Sequence, residues 1–320
     1  MVDELDILLL GGSGFVGSAL SESLIKLSGV NLRIASRTPV TCGKVSSRIK
    51  YYCLDICDLP ELHEAAVGVK VIINCTTGNA REIVIGAKNI FAVAEANSAR
   101  VIHFSSMAVY GSATGLVDES SSGSCDLKGY GLAKKQSEEI LSKCGQCVIL
   151  RPGIIYGKGG VQWSIRISKL LLSGRLGDLG AAGDGICNLV HVLDVADAVK
   201  SIILRSTSSG VYNLATKSPP TWNQYFISFA KELGVYPIKR ITNRALAIES
   251  RFYAYLIKFL QLLCRAVGLR VVLPELISPQ QVRLFSQRIK LDCSKAEREL
   301  DFRARCFADV IKDISTAYQD

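Results

Sequence analysis

The sequence predicts an α/β fold in which a doubly wound parallel sheet is covered by helices on both faces. In the first half of the chain, short runs of apolar residues alternate with segments of helical spacing. The apolar runs are continuous, as expected for strands buried on both faces. A glycine-rich turn joins the first run to the first helical segment, and right-handed crossovers then give a doubly wound sheet.

Five apolar runs predict strands, and four segments with apolar residues three or four positions apart predict the helices between them. The strands are predicted at 7–10, 32–35, 71–75, 101–104 and 147–150, and the helices at 15–27, 59–66, 81–96 and 130–142. Farther along, residues 188–199 predict a strand running into a helix, and residues 210–215 predict another short strand. Helical periodicity dominates from Pro219 onward.

The glycine-rich turn follows the first strand directly and fits both G-x-G-x-x-G and G-x-x-G-x-x-G. Glycine is needed because the turn is tight, the backbone must approach a pyrophosphate, and the helix must pack close to the strand. The helix N–H groups and dipole then face the phosphates. The turn therefore predicts a dinucleotide site that includes Gly11, Gly14, Phe15, Val16 and Gly17.

Two further places predict the rest of this dinucleotide site. The second strand ends at Ser36-Arg37, where an NAD site would usually have an acid for the ribose 2′-hydroxyl. Ser36 as a donor and Arg37 as a clamp suit a 2′-phosphate, so NADP is predicted and NAD is the alternative. Asp55, followed by Ile56, is placed to accept from the adenine amino group; a plain turn residue is the alternative. Asp58 is interpreted as the N-cap of the next helix.

These elements predict a dinucleotide-binding domain with the Rossmann arrangement over residues 1–165, to which residues 188–216 return. Residues 166–187 and 217–320 are predicted to form a smaller, mainly helical part that binds the substrate. Such a part would cover the carboxyl ends of the strands, where open α/β sheets bind their ligands.

The composition limits the classes of ligand that the protein is expected to bind. The 320 residues have a formal net charge of +9, which favours an anionic small-molecule substrate. No Lys- and Arg-rich run interleaved with aromatic residues is present, so nucleic acid is not predicted. Eleven irregularly spaced cysteines and an acidic N-terminus without the features of a secretory signal predict a cytoplasmic protein with free thiols. Cys144 and Cys147 form an isolated C-x-x-C pair that predicts packing rather than a metal site.

A catalytic site is predicted where two polar features meet. Tyr130 and Lys134 lie four residues apart at the start of a helix and therefore project from one face. An ammonium nearby, with a positive nicotinamide ring, would stabilise the phenolate and lower the tyrosine pKa. Ser106 follows the strand at 101–104 and would share the substrate oxygen with Tyr130. The three predict a hydride-transfer site at a secondary alcohol or ketone.

The sequence resembles the extended short-chain dehydrogenase/reductase family, in its NAD-dependent epimerase/dehydratase-like branch. The resemblance rests on GGSGFVG, DICD, VIHFSSMAVYG, YGLAKKQSE, LRPGIIYG and VHVLDVA, and it covers residues 5–215 well. It implies that Ser106, Tyr130 and Lys134 are catalytic and that the cofactor also contacts Tyr130 and Lys134. It further implies that the backbone of Pro152, Gly153 and Ile154 lies near the nicotinamide carboxamide.

Departures from the family pattern shape the expected reaction. The family often has a small Ala-Ala pair after the fourth strand, where this chain has Thr76 and Thr77. Both are expected to contact the cofactor, with packing as the alternative. The stretch after Gly78 is short, which puts the family's dimer in doubt. Met107 and Ala108 follow Ser106, so no carboxylate is offered there for water loss, which argues against dehydration.

Three functions remain open on the sequence. The favoured one is NAD(P)-dependent oxidoreduction or epimerisation of a nucleotide-linked sugar. The second is a reductase of the 3β-hydroxysteroid or dihydroflavonol type, acting on a hydrophobic or lipid-linked substrate. The third is a redox sensor that binds a dinucleotide without catalysis, which the complete Ser-Tyr-Lys set disfavours.

Residues 251–265 are rich in Phe, Tyr, Leu and Ile, and Arg251, Lys258 and Arg265 recur every seven residues. Such a helix could lie on an acidic membrane as a peripheral contact. The favoured interpretation is a helix that packs its apolar face into the substrate-binding part. Charges interrupt the run too often for a membrane span.

Overall fold

The computed structural model describes residues 4–38, 47–124, 126–207, 209–266 and 275–316, without the side chains of 254, 255, 258, 261, 265, 266, 313, 315 and 316. The strands in chain order are β1 (Leu5–Leu10), β2 (Val30–Ser36), β3 (Ile49–Cys53), β4 (Val71–Asn74), β5 (Arg100–Phe104), β6 (Gly115–Val117), β7 (Cys147–Pro152), β8 (Ile154–Tyr156), β9 (Leu189–His191), β10 (Gly210–Leu214) and β11 (Ile289–Leu291).

The α-helices in chain order are α1 (Phe15–Leu24), α2 (Leu59–Ala66), α3 (Ala80–Asn97), α4 (Gly129–Leu141), α5 (Arg166–Leu172), α6 (Val192–Leu204), α7 (Trp222–Glu232), α8 (Asn243–Ile248), α9 (Ala254–Ala266), α10 (Pro279–Phe285), α11 (Ser294–Leu300) and α12 (Phe307–Thr316). A 3₁₀ turn spans Met107–Tyr110, and π-helical turns span Val161–Ile165 and Glu249–Tyr253.

Seven strands form one parallel sheet in the order β10-β7-β5-β4-β1-β2-β3. The chain runs outward from β1 on one side, to β2 and β3, and then returns to build β4, β5, β7 and β10 on the other. This reversal beside β1 is the topological switch point at which such sheets bind ligands. The predicted α/β fold with a doubly wound sheet is confirmed.

The sheet is covered on both faces, which explains its continuous apolar strands. In β1, Ile7 and Leu9 point into one apolar core and Leu8 and Leu10 into the other, because successive side chains of a strand alternate. The first core includes residues of α1, α6 and α11, and the second includes residues of α2, α3 and α4. Cys144 and Cys147 are buried in the second core, as packing predicts.

The chain divides into two compact units. Unit 1 comprises residues 1–155, 190–217 and 291–304 and contains the parallel sheet; unit 2 comprises residues 156–189, 218–290 and 305–320. Unit 2 is mainly helical, and its interior is an aromatic cluster on α7 formed by Trp222, Tyr225, Phe226 and Phe229.

The unit boundaries differ from the predicted ones in two places. The change to unit 2 comes at Tyr156 rather than after residue 165, where Gly157 donates its N–H to the Ser164 hydroxyl (3.1 Å) and the π-helical turn begins. Residues 291–304 belong to unit 1 because α11 packs against β10 and α6, with Leu300 and Phe302 in the first core. None of the helices in the described ranges is long and apolar enough to cross a membrane.

Candidate active site

The glycine turn between β1 and α1 is shaped so that a dinucleotide backbone can approach it. Gly11 has a φ of +82°, and a Cβ there would lie 3.1 Å from the carbonyl carbon of Cys75. A Cβ on Gly17 would lie 2.3 Å from the Gly11 carbonyl oxygen, so Gly17 permits the helix to pack on the turn. Gly14 is the N-cap of α1, a helix with no acid in its first turn. Its N-terminal N–H groups and dipole therefore suit an anion.

A cavity of about 260 Å³ opens beside this turn within unit 1. The predicted cofactor residues that line it are Gly11, Gly14, Ser36, Arg37, Asp55, Ile56 and Thr76. The cavity therefore combines the glycine turn with the ends of β2, β3 and β4, which fits a dinucleotide.

Ser36 and Arg37 are placed differently from each other. The Ser36 hydroxyl donates to the Thr38 carbonyl (2.5 Å), so its predicted donation to a phosphate would require this bond to break. The Arg37 side chain is 61% exposed and lies 3.6 Å from the carboxylate of Glu82, which also lines the cavity. Arg37 is thus an exposed cation at the cavity rim, held weakly by an ion pair.

Asp55 and Thr76 each combine a cavity position with a local structural bond. The Asp55 carboxylate accepts from the Cys57 N–H (2.9 Å), as the turn alternative requires. The Thr76 hydroxyl donates to Asn74 Oδ1 (2.7 Å), which also accepts from the Thr76 N–H. Asp58 caps α2 by accepting from the Glu61 N–H (3.1 Å), and this prediction is confirmed.

The three predicted catalytic side chains converge at the carboxyl end of β5 and the start of α4. Ser106 caps the 3₁₀ turn that contacts α4, accepts from the Ala108 N–H (3.2 Å) and lies near the Tyr130 phenol. Ser105, its neighbour, is buried, and its hydroxyl has no hydrogen-bond partner among the described residues. Lys134 Nζ lies 5.9 Å from the centroid of the Tyr130 ring and donates to the Phe104 carbonyl (2.7 Å).

Burial sets the protonation of this group. It raises the pKa of Tyr130, and the nearby Ser106 hydroxyl opposes that rise. Burial lowers the pKa of Lys134 to about 8, against the attraction of Cys75 and Glu138. The lowering expected for the tyrosine pKa depends on the nicotinamide ring as well as on Lys134, and it stays a prediction. The phenol is protonated at neutral pH and ready to donate.

The catalytic group adjoins the cavity through Cys75. This residue lines the cavity and directly follows β4, the strand that pairs with β5. Lys134 donates to the carbonyl at the end of β5, so the catalytic group and the cavity lie at the ends of neighbouring strands.

A buried polar network holds α4 against the sheet. Arg151 on β7 donates two bonds to the Glu138 carboxylate (2.9 and 2.7 Å) and a third to the Tyr110 hydroxyl (2.9 Å). Beside it, His103 on β5 contacts the Ser137 hydroxyl (2.9 Å) and the Asn74 amide (3.0 Å). Burial, and then Lys134, keep the pKa of His103 well below its ordinary value, so this imidazole is neutral.

Several predicted cofactor residues do not line the cavity. Pro152 is buried, and the Gly153 N–H donates to the Leu214 carbonyl (2.9 Å) within unit 1. The members of the predicted set outside the lining are Phe15, Val16, Gly17, Tyr130, Lys134, Pro152, Gly153 and Ile154.

Thr77, predicted with Thr76, also lines the cavity. Sequence reasoning missed other lining residues: Ser13, Ala35, Thr38, Leu54, Cys75, Glu82 and Ile83. Ser13 adjoins a predicted position and could have been found from it. Glu82 could not, because it belongs to the Asn79 capping box of α3 and reaches the cavity only through the fold.

Comparison with known proteins agrees with this geometry. The model of the NAD dependent epimerase/dehydratase family matches residues 7–215. The chain belongs to this family. The predicted resemblance is thereby confirmed, as is the predicted class of NAD-dependent epimerase or oxidoreductase enzymes.

One similar curated protein is the N-acetyl-α-D-glucosaminyl-diphospho-ditrans,octacis-undecaprenol 4-epimerase of Escherichia coli O157:H7. It is 26% identical over 239 residues, which cover 68% of this chain and 70% of the relative.

Two solved structures are similar in fold. MoeE5 in complex with UDP-glucose and NAD has a TM-score of 0.73 and 19% identity, with 98% of each chain covered. The UDP-N-acetylglucosamine 4-epimerase of Bacillus cereus has a TM-score of 0.70 and 19% identity, with 99% of this chain and 100% of that chain covered.

Proposed function

We propose that this protein epimerises a sugar carried on a diphosphate, by oxidising one ring hydroxyl and reducing the resulting ketone from the other face. The observation that carries the proposal is the position of Lys134. It lies beside Tyr130 on α4 and bonds the carbonyl at the end of β5, the strand next to β4, whose end leads into Cys75 in the cavity wall. A proton-transfer group and a cofactor cavity therefore adjoin within one unit.

The residues present fit a nicotinamide dinucleotide. The turn at Gly11 approaches the Cys75 backbone so closely that a Cβ would crowd it, and α1 presents its N-terminus to the same cavity. Gly11 and Gly14 would hold the pyrophosphate, and Arg37 and Asp55 would hold the adenosine end. When bound, the nicotinamide ring accepts the hydride from the substrate and returns it.

Tyr130 and Ser106 handle the proton. Ser106, next to the phenol, would hold the substrate oxygen in the same hydrogen-bonded group. Tyr130, deprotonated where Lys134 and the positive nicotinamide ring stabilise its phenolate, would take the hydroxyl proton as the carbon–hydrogen bond breaks and would return it to the oxygen when the ketone is reduced. Lys134 supplies a positive charge that favours the phenolate during the first step.

Dehydration does not fit the site. The 3₁₀ turn that Ser106 caps consists of Met107, Ala108, Val109 and Tyr110, which offer no carboxylate. Proton removal beside the carbonyl would require a base that this turn lacks.

Two observations favour a diphosphate-linked sugar. The chain is basic, and the similar enzyme of Escherichia coli O157:H7 is named for a diphospho-undecaprenol sugar, while MoeE5 was solved with UDP-glucose. Nucleotide and lipid carriers share the sugar diphosphate, so the assay below has an arm for each. Nine described cysteines are free, which supports the cytoplasmic location that the sequence predicts.

We further propose NADP(H) as the cofactor, with Arg37 as the residue that discriminates. No acid ends β2, and the Arg37 guanidinium is exposed at the cavity rim. Replacing Arg37 by Ser should weaken NADP binding about tenfold or more and leave NAD binding within about twofold. Titration of cofactor fluorescence measures both, and a wild-type preference for NAD would contradict this assignment.

The experiment for the reaction incubates purified protein with UDP-N-acetylglucosamine, UDP-glucose and N-acetylglucosaminyl-diphospho-undecaprenol in separate arms. Sugars released by acid are separated by chromatography. We expect an epimer to appear in at least one arm with no net change in reduced cofactor. Tyr236→Phe, at an exposed tyrosine of unit 2, is the matched control for Tyr130→Phe.

The outcomes are distinct. Epimer formation that Tyr130→Phe abolishes and Tyr236→Phe retains supports the proposal. If every sugar diphosphate is unchanged while the protein oxidises a hydroxysteroid or reduces a dihydroflavonol, the proposed substrate class is wrong.

A further inference from the structure

The surface of unit 2 carries a concentration of exposed apolar side chains on and before α9. Among the described residues, eight of the eighteen exposed large apolar side chains lie between positions 248 and 263. Leu256, Phe259, Leu260 and Leu263 have the i, i+3, i+4, i+7 spacing of one helical face, which we call the α9 face. Phe259 is the most exposed of the four, with 58% of its side chain accessible. Clustered apolar exposure of this kind marks a contact surface.

Two side chains of the same segment that lie off this face are packed. Ile257 is 8% exposed and Ser250, in the preceding π-helical turn, is 3% exposed. The segment is therefore anchored in unit 2, and the described residues leave the α9 face exposed. The favoured sequence interpretation, in which the apolar face packs inward, is wrong for these four residues.

The part of the chain around α9 is strongly basic. Residues 239–290 contain ten Lys or Arg and two Glu, which amounts to +8 of the chain's formal +9. Both acids are engaged, Glu249 with Arg175 and Glu275 with Arg166. Arg244, Arg251 and Arg283 are exposed.

The exposed arginines lie on elements next to α9. Arg244 is on α8 and Arg283 is on α10, and both helices contact the π-helical turn that holds Arg251 and leads into α9. Lys258 and Arg265 of the predicted basic stripe have side chains outside the described residues. Apolar side chains beside a strongly basic surface match the layered chemistry of a lipid monolayer, which has anionic headgroups over hydrocarbon.

We propose that the α9 face docks this protein on the surface of an anionic lipid bilayer, with the surrounding arginines on the headgroups. The continuous helical run of residues 243–266 carries Arg244, Glu249 and Arg251, and no described helix is long and apolar enough to cross a bilayer, so the proposed position of α9 is in the interface. This docking does not depend on the proposed reaction. It would bring the site to substrates whose diphosphate is held at a membrane.

The test is vesicle flotation of the full chain, without substrate. Vesicles of equal parts phosphatidylglycerol and phosphatidylethanolamine are compared with vesicles of phosphatidylcholine. We expect flotation with the anionic vesicles, loss of it with phosphatidylcholine, and weakening as salt is raised. The apolar variant is Leu256→Ser, Phe259→Ser and Leu263→Ser, and the charge variant is Arg244→Gln, Arg251→Gln and Arg283→Gln.

Matched control substitutions are Val67→Ser and Leu204→Ser, which remove exposed apolar side chains from unit 1. Each variant is first shown to bind NADP as the wild type does. We expect at least a tenfold lower bound fraction for the apolar and charge variants and no change for the control.

Three results would overturn the proposal. One is absence of wild-type flotation on anionic vesicles at low salt. Another is wild-type flotation by the apolar variant. The third is a wild-type dimer in analytical ultracentrifugation that the apolar variant converts to a monomer, since the α9 face would then be covered by a second copy. Epimerase activity enters none of these readouts.

Discussion

The helices α4 and α9 each span 13 residues, but α4 buries polar side chains and α9 exposes apolar ones. α4 buries Lys134, Ser137 and Glu138, whereas α9 leaves Leu256 and Phe259 exposed. Both depart from the rule that apolar residues lie inside and charged residues outside. The difference indicates that the two helices serve contacts beyond folding, α4 with a reacting group and α9 with a surface.

The largest loss of stability is expected when the buried ion pair between Glu138 on α4 and Arg151 on β7 is broken. Arg151→Met leaves the Glu138 carboxylate buried without its two guanidinium bonds, which should lower the free energy of unfolding by about 3–5 kcal/mol. Urea denaturation measures it. Adding Glu138→Gln should restore part of the loss, because no buried charge remains. Equal instability of the single and double variants would mean that the pair contributes only by packing.

A smaller change, a gain in folding stability, is expected when Lys134 is replaced. Its pKa falls from the ordinary 10.5 to about 8 on burial, so at neutral pH the folded protein is destabilised by roughly 3 kcal/mol by keeping the ammonium. Lys134→Met should therefore raise stability at pH 7 by about 1–3 kcal/mol, after the lost bond to the Phe104 carbonyl is counted. Activity should be lost in the same variant.

The pH dependence of the free energy of unfolding provides a second test that the Lys134 charge is destabilising. Between pH 8 and 10.5 the unfolded lysine binds a proton that the folded one has released, so wild-type stability rises with pH across this window. The advantage of Lys134→Met is complete below pH 8 and disappears toward pH 10.5. An advantage that does not change with pH would show that the lysine is not buried as a charge.

The smallest effect is expected on the α9 face. Leu256→Ala should change the free energy of unfolding by no more than about 0.5 kcal/mol, because the side chain is exposed. Ile257→Ala, one residue along on the packed side, should cost about 2–4 kcal/mol. Thermal denaturation of the pair separates the two sides of α9, and equal losses would show that Leu256 is covered in solution.

Local features of the site could be predicted from the sequence. The spacing of Tyr130 and Lys134 fixes their common face, the glycine turn lies where β1 meets α1, and Asp58 caps α2. Each of these depends on residues within one or two turns of each other, so periodicity and motif spacing were sufficient.

Features that depend on distant residues could not be predicted. Arg37 pairs with Glu82 from α3, and the pKa of Lys134 is lowered by its burial against the sheet. The uncovered side of α9 was equally hidden, because an amphipathic pattern does not tell which neighbour covers the apolar face.

The most direct test of the central claim is rapid-mixing measurement of hydride transfer in Tyr130→Phe. Both proteins are loaded with the same amount of oxidised cofactor and mixed with the sugar diphosphate that the wild type converts, and reduced nicotinamide fluorescence is followed. We predict that loss of the phenol slows transfer by roughly 100-fold or more while cofactor binding is kept. Transfer at the wild-type rate would contradict the assignment of Tyr130 as the group that moves the proton.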